Sequence, residues 1–236
     1  MPQSTPARAR KAAARILIVD DHPIVREGLI KLLELEGDLT VVGEAETAAE
    51  ARKAAEQTKP DLVVLDITLR EGNGLDLLKD LRLRCPKAAV LVLSMHDETI
   101  YGERVLKAGA RGYLMKDQAR GNVVAAIRKV LGGEVYLSPR MSQQVLSKVA
   151  AGAAPAGGSP VDALSDRELE VFRLLGEGHT TRQVAQELHR SIRTIDAHRE
   201  NIKRKLNLSS AAELIKRAVL WVQEEGATGS GKGRSS

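Results

Sequence analysis

Ile16-Leu17-Ile18-Val19-Asp20-Asp21 decides the fold: four consecutive apolar residues, then two carboxylates. The pattern recurs along the first half of the chain. Leu62-Val63-Val64-Leu65 ends in Asp66, Val90-Leu91-Val92-Leu93 ends in Ser94, and Gly112-Tyr113-Leu114-Met115 ends in Lys116. Short runs that are apolar on successive residues read as strands buried on both faces, as in a parallel sheet. In an open α/β sheet, ligands bind beyond the carboxyl ends of the strands. If the runs are neighbours, three carboxylates, a hydroxyl and an ammonium converge there. That set suits a divalent cation and a phosphoryl group.

Working outward, residues 16–135 alternate strand-like and helix-like segments. The predicted strands are 16–20, 40–44, 62–66, 89–94 and 111–115. The predicted helices are 23–35, 48–58, 74–84, 98–108 and 119–132. Five βα units of this size predict a doubly wound α/β domain with a five-stranded parallel sheet and helices on both faces. A further helix is expected over 140–150, followed by the Ala/Gly/Pro-rich stretch 151–160, a flexible linker by composition. Residues 162–225 show no strand-like alternation and predict a small all-α domain of four helices, near 166–175, 181–188, 192–206 and 211–223. Thr47 with Glu50, Ser165 with Glu168, Thr180 with Gln183 and Ser210 with Glu213 have capping-box spacing. Ser191 can cap the third of these four helices, and Gly176 and Gly178 stop the first. The predicted division is a basic disordered tail over 1–15, an α/β domain over 16–138, a linker over 139–161, the helical domain over 162–225 and a disordered tail over 226–236.

Composition narrows the classes. The chain has 236 residues, 43% apolar and 28% charged, which is globular. Its only aromatics are Tyr101, Tyr113, Tyr136, Phe172 and Trp221, too few for an aromatic platform that stacks single-stranded nucleic acid. The single cysteine, Cys85, excludes an intramolecular disulfide and fits a reducing cytoplasm. No apolar run approaches the roughly 18 residues that span a bilayer, and the basic start is not a signal peptide. Net charge is +5, but residues 1–15 carry +4, residues 16–137 carry −3 and residues 161–225 carry zero. Overall basicity therefore says nothing about DNA, and any such case rests on local placement.

With Asp20-Asp21 after the first strand, Asp66 after the third, Ser94 after the fourth and Tyr113 and Lys116 in and after the fifth, residues 16–135 resemble the receiver domain of bacterial two-component response regulators. The resemblance implies a flavodoxin-like fold and a role for each residue. Asp66 would accept a phosphoryl group from a sensor histidine kinase. Asp20, Asp21, Asp66 and the backbone carbonyl of Thr68 would hold Mg²⁺. Lys116 would pair with phosphoryl oxygens as a point charge, and Ser94 would hydrogen-bond them. Ser94 and Tyr113 would form the switch, and Thr68 and His96 would tune phosphate lifetime. Singly, each residue has a plainer reading: Asp21 or Ser94 as a helix cap, Asp66 as a loop closure, Tyr113 as a core residue with a satisfied hydroxyl. Phosphohydrolases with an aspartyl nucleophile need a second acid two residues on, where this chain has Thr68.

Residues from Leu164-Ser165-Asp166-Arg167-Glu168 through Lys205-Leu206 resemble the LuxR-type helix-turn-helix domain. The match includes Gly178, Val184-Ala185, Leu188, Ser191, Thr194-Ile195, His198 and Ile202. On 192–206, Ile195, Ile202 and Leu206 share one face at 3.6-residue spacing. The other face would enter the major groove. Expected DNA-contacting residues are Arg182, Arg193, Thr194, Asp196, Ala197, Arg199, Glu200, Lys203 and Arg204, with Arg182, Lys203 and Arg204 on phosphates. Asp196 and Glu200 are unusual there; carboxylates can accept from cytosine N4, and Arg193 and Arg199 can offset them. A solvated charged face, or a module that binds protein, is the alternative for the same residues.

Together the resemblances imply a cytoplasmic response regulator of the NarL/FixJ type that regulates transcription from promoter DNA and dimerises on phosphorylation. RNA polymerase is a further candidate partner. No membrane association is expected, and no enzyme activity beyond slow Mg²⁺-dependent self-phosphorylation from small donors and autodephosphorylation.

Overall fold

The apolar runs form five strands: β1 (Ala14–Val19), β2 (Leu39–Ala45), β3 (Leu62–Leu65), β4 (Ala89–Ser94) and β5 (Gly112–Met115). They are all parallel, in the order β2-β1-β3-β4-β5. Between and after them lie α1 (Pro23–Glu34), α2 (Ala48–Thr58), α3 (Gly74–Arg84), α4 (Glu98–Lys107) and α5 (Ala119–Leu131). The computed structural model describes residues 12–69, 73–150 and 160–230.

Ile16, Ile18, Leu62, Val64, Leu91, Leu93 and Leu114 form one buried face with Leu29 and Leu33 of α1 and Val123, Ile127 and Val130 of α5. Side chains alternate along a strand, so Leu17, Val19, Val63, Leu65, Val92 and Tyr113 point the other way, and they too are buried. A sheet covered on both faces explains why its strands are continuous apolar runs rather than alternating ones.

The strand ends carry two corrections. β1 begins at Ala14, so Ala14 and Arg15 belong to the sheet and not to a disordered tail. The Arg15 amide donates to Asp61 and its guanidinium to the Thr58 carbonyl, at 2.8 and 2.6 Å. β1 and β3 stop at Val19 and Leu65, one residue short of the predicted ends, so Asp20 and Asp66 stand just past the sheet edge.

The second unit of the chain begins at Arg140. It holds most of α6 (Pro139–Ala150), then α7 (Asp166–Gly176), α8 (Thr181–Glu187), α9 (Ile192–Lys205) and α10 (Ala211–Ser230). Its core joins Leu169, Phe172 and Leu175 of α7, Val184 of α8, Ile195 and Ile202 of α9, and Leu214, Ala218 and Trp221 of α10, all buried. Phe172 and Trp221 lie with ring centroids 5.6 Å apart.

Ser165/Glu168 and Thr180/Gln183 close complete capping boxes, and Ser191 caps α9. The other two predicted boxes are displaced. Thr47 and Ser210 accept from the expected amides, but Glu50 and Glu213 reach back to the amides of Glu46 and Ser209, one residue before each cap. Gly176 is the last residue of α7 rather than its stop. A Cβ there would lie 2.4 Å from the Ala218 carbonyl oxygen, so it is the close approach of α10 that requires glycine. Gly178, at φ +91°, supplies the left-handed turn that ends the helix.

The last helix runs to Ser230, past the predicted end at 223 and into the predicted disordered tail. Extending a formed helix adds one hydrogen bond per residue and avoids the cost of nucleation. Residues 1–11, 151–159 and 231–236, which include most of the expected basic tail, the linker stretch and the end of the tail, lie outside the described residues.

Candidate functional site

The sheet order reverses at β1, which lies between β2 and β3. That switch point leaves a crevice at the carboxyl ends of β1 and β3. Val19 and Leu65 are in register, so Asp20 and Asp66 leave the sheet side by side. Lys116 follows β5 and brings its ammonium to 2.6 Å from Asp66 Oδ2 and 2.6 Å from Asp20 Oδ2. Asp66 Oδ1 accepts from the Thr68 amide at 2.7 Å, and Asp20 Oδ1 from the His22 amide at 2.9 Å. His22 itself is the N-cap residue of α1 and makes no side-chain capping bond. Asp21 therefore faces the site rather than capping the helix: its Oδ1 lies 2.7 Å from His22 Nδ1.

Asp20, Asp21 and Asp66 are all buried. Burial pushes the Asp66 carboxyl up to about 6; the Lys116 ammonium pulls it down, and Asp20 pushes it further up. Burial likewise pulls Lys116 down, but Asp66 and Asp20 outweigh it and hold the ammonium above its ordinary range. One ammonium among three buried carboxylates leaves negative charge uncompensated, which a low-dielectric site relieves either by protonating a carboxylate, the direction in which Asp66 is pushed, or by taking a further cation. Ligand atoms of Asp20, Asp21, Asp66 and His22 lie within 4.8 Å of one another, and the buried Thr68 Oγ1 has no hydrogen-bond partner among the described residues. The donor set is a few hard oxygens, which suits a small divalent ion that keeps some of its water.

Around the crevice the side chains are tied to one another. Ser94 ends β4, fully buried, and its Oγ accepts from the His96 amide at 3.1 Å. The Tyr113 ring is fully buried, and its hydroxyl donates to the His96 carbonyl at 2.9 Å. Burial pushes that phenol far above its ordinary range, so it stays a donor. The His96 ring stacks on Tyr101 of α4, centroids 4.7 Å apart. Tyr113 thus sits inward with its hydroxyl on the very loop that carries Ser94.

Three features had no reading in the sequence. Arg26, on the buried side of α1, donates to the Asp20 carbonyl at 2.7 Å and pairs with Glu44 at 3.2 Å and with Glu46. His22 lines the acidic cluster. Glu98, buried at the start of α4, accepts from Ser138. An arginine inside an otherwise apolar helix face was the available signal for the first, and Asp-Asp-His spacing for the second; the third depends on contacts between segments 40 residues apart.

In the helical unit, Ile195 and Ile202 of α9 are buried, and Arg182, Arg193, Thr194, Asp196, Ala197, Glu200 and Arg204 are exposed. Arg199 and Lys203 are only partly exposed. Arg199 donates to Thr181 Oγ1 at 2.6 Å and pairs with Asp196 at 3.3 Å, and Lys203 pairs with Glu200 at 2.9 Å. Arg199 thus offsets Asp196, as its place in the sequence suggests, while Glu200 is offset by Lys203 rather than by Arg193. Lys205 is turned back to Glu168 at 2.6 Å, locking the end of α9 to the capping box of α7. His198 lines a cleft of about 250 Å³ with Arg167, Val171, Leu188, Arg190 and Ile195. Burial pulls its imidazole below its ordinary range.

Comparison with known proteins agrees with both halves. Residues 16–128 match the response regulator receiver domain, and residues 162–218 match the LuxR family of bacterial regulatory proteins. The oxygen regulatory protein NreC of Staphylococcus carnosus is 32% identical over 209 residues, 87% of this chain and 96% of the relative. The chain is a response regulator of the LuxR family. A nitrate/nitrite response regulator protein homolog of Haemophilus influenzae is 34% identical over 83% of the response regulator described here and 91% of its own length. RcsB of Salmonella enterica, solved on a promoter with the phosphomimetic BeF₃⁻, shares 26% identity over 88% of this regulator and 98% of that chain, with a TM-score of 0.57. A LuxR-family regulator from Aurantimonas has 36% identity and a TM-score of 0.55, covering 59% of this chain and 99% of that one. This response regulator therefore joins a receiver to a DNA-binding domain of the type that regulates transcription. No helix among the described residues is long and apolar enough to cross a membrane.

Proposed function

We propose that this response regulator is cytoplasmic, takes a phosphoryl group from a sensor histidine kinase onto Asp66 and, as a dimer, binds promoter DNA through α9. The single observation that carries the reading is the meeting of Asp20, Asp66 and Lys116 at the switch point, with 2.6 Å from the ammonium to each carboxylate.

Asp66 would attack phosphorus through a carboxylate oxygen while the bond from phosphorus to the kinase imidazole breaks and that nitrogen keeps the electron pair. Two anions meet in this step, so positioning and charge compensation are most of the catalysis. Asp20, Asp21, Asp66 and the Thr68 carbonyl would hold Mg²⁺. Bound there, the ion would offset the carboxylates and the phosphoryl oxygens. Lys116 already stands between Asp20 and Asp66, poised to move onto a phosphoryl oxygen. Ser94 would turn its hydroxyl toward the new group. Because the Ser94 loop also accepts from Tyr113, that turn would reach the aromatic switch. Added charge would thus bias a two-state element at the β4–β5 edge. The expected outcome is a population shift toward a dimer whose DNA-binding domains address two half-sites. Arg182, Lys203 and Arg204 would contact phosphates, Lys203 once released from Glu200, with Thr194, Asp196, Ala197 and Glu200 facing base edges and Arg193 and Arg199 beside them. Promoter-bound RcsB supports the DNA half of this reading by analogy.

The test is intact mass and size-exclusion elution after acetyl phosphate with Mg²⁺. Wild type should gain one phosphoryl adduct and shift toward dimer, and Asp66→Asn should do neither. An adduct on the Asn variant would assign the phosphoryl group to another residue.

A further inference from the structure

In the two ion pairs that run along α9, the carboxylates protrude further than the cations. Asp196 and Glu200 are 55% and 71% exposed, while their partners Arg199 and Lys203 are each 20% exposed. Both pairs have i,i+3 spacing, so they lie along one strip of the helix. Arg199 is held low by a second bond, to Thr181 at the start of α8. Lys205 is committed to Glu168, and Arg167 and Arg173 to Glu170 and Glu177. The four-helix stretch 161–225 carries no net charge. Arg182 and Arg193 are exposed and form no ion pair among the described residues.

We infer that Asp196 and Glu200 are specificity-determining residues that act by suppressing sequence-independent DNA binding, each masking one cation of the recognition helix until a matching base edge engages the carboxylate. The inference rests on the proposed docking of α9 in the major groove. Sequence-independent affinity is almost wholly phosphate neutralisation by Lys and Arg. Carboxylates at the surface of the reading face repel phosphate at every site alike. At a site with a cytosine in reach, the same carboxylate accepts from N4 and recovers part of that cost. The penalty is uniform and the recovery is not, so the ratio of specific to nonspecific binding rises although absolute affinity falls. Breaking either pair at a matched site also frees its cation for a neighbouring phosphate. Specificity here comes from a repulsive element as well as an attractive one.

The probe is a duplex pool of random sequence, with the full-length protein treated with acetyl phosphate and Mg²⁺. The variant is Asp196→Asn/Glu200→Gln, which keeps side-chain size, with Glu224→Gln on α10 as a single-charge control. Binding is read as a function of salt, and the sequences retained after rounds of selection are read out. The double variant should bind the unselected pool more tightly. With two more cations available to phosphates, its log–log salt slope should steepen by about 1.8, so that its loss of affinity between 50 and 200 mM salt is about tenfold greater than that of wild type. Its selected sequences should be less enriched and should lose cytosine preference, while Glu224→Gln should behave as wild type. An unchanged slope and pool affinity in a variant with wild-type circular dichroism would overturn the inference. So would sharper selection by the variant, or an equal change in Glu224→Gln. If wild type selects no sequence and binds no duplex at low salt, the docking reading itself fails and this inference with it.

Discussion

Arg26 shows what one side chain does for a site it does not enter. Its guanidinium fixes the Asp20 carbonyl from α1 while Glu44 and Glu46, on the rim of β2, compensate its charge. Burial pulls its proton affinity down, but the two glutamates raise it overall, so the charge is permanent. Arg26→Gln should keep a donor but lose the ion pairs. Since Glu44 and Glu46 are more than half exposed, the expected cost is about 1–2 kcal/mol, well under that of breaking a fully buried pair. Urea unfolding measures it, and titration with Mg²⁺ should show weaker binding because Asp20 is less firmly oriented. A variant with unaltered stability and unaltered Mg²⁺ affinity would reduce Arg26 to a passive core cation. At this scale the sequence was legible where chemistry sits at a strand end: Asp20, Asp21, Asp66, Ser94 and Lys116 could be named because strand order brings such ends together. Arg26 and His22 could not, because their roles depend on how α1 is rotated against the sheet. On α9 the carboxylates themselves were legible, but not that they protrude beyond Arg199 and Lys203, because a helical wheel gives direction and not how far each side chain reaches.

Elements set the site through their first residues. α3 begins at Gly74, capped by Asn73, whose Oδ1 accepts from the Leu75 and Asp76 amides. A Cβ on Gly74 would stand 2.3 Å from Ile67 Cα and 2.6 Å from its carbonyl oxygen. Backbone on both sides leaves nothing flexible to yield. Gly74→Ala must therefore move either α3 or the segment Ile67-Thr68 that follows Asp66. Overpacking of this kind costs about 1–3 kcal/mol. Because the Thr68 amide holds Asp66 Oδ1, the variant should also be phosphorylated more slowly by acetyl phosphate even where it is fully folded. Normal rate with lowered stability would show that α3 yields and the site does not. The alternation of elements was legible because both faces of the sheet are covered and each helix carries an apolar stripe. The contact of Gly74 was not, because a glycine before a helix reads as a turn residue until the backbone across from it is known. The same holds for Gly176, placed by α10 rather than by the turn that follows.

At the scale of the whole molecule, the chain has two cores and two chemistries. The receiver core is aliphatic and built on the sheet; the helical unit is organised about α7, with Phe172 against Trp221. Two cores predict two unfolding transitions of the full chain in scanning calorimetry, each with its own ligand. Mg²⁺ should raise the receiver transition, since an ion bound only to the native state adds RT ln(1 + [L]/Kd), about 2.7 kcal/mol at a hundredfold excess over Kd. Acidity should act on the other unit as well as on Asp66. Burial holds His198 below its ordinary range; Glu168 and Glu170 pull it up, and Arg167 and Arg190 push it down. The unfolded chain then takes up the proton first as pH falls. The neutral His198 contributes stability that is complete above about pH 6.5 and drains away as pH drops through the lower folded value. Glu168 acts in a separate window. Burial raises it, but the bonds from Lys205 and Ser165 prevail and lower it overall, so its contribution persists until pH falls below the ordinary glutamate range. The transition of the helical unit should accordingly fall in two stages on acidification, and His198→Gln should remove the first stage while leaving the second. Because His198 lies on the same helix as Arg199 and Lys203, loosening α9 by protonation should weaken DNA binding over that same upper window, and His198→Gln should remove that loss while leaving the Mg²⁺ response of the receiver, itself acid-sensitive through Asp66, as it is in wild type. If the binding loss tracked the receiver transition instead, the acid-sensitive element would lie in the receiver and not in the reading helix.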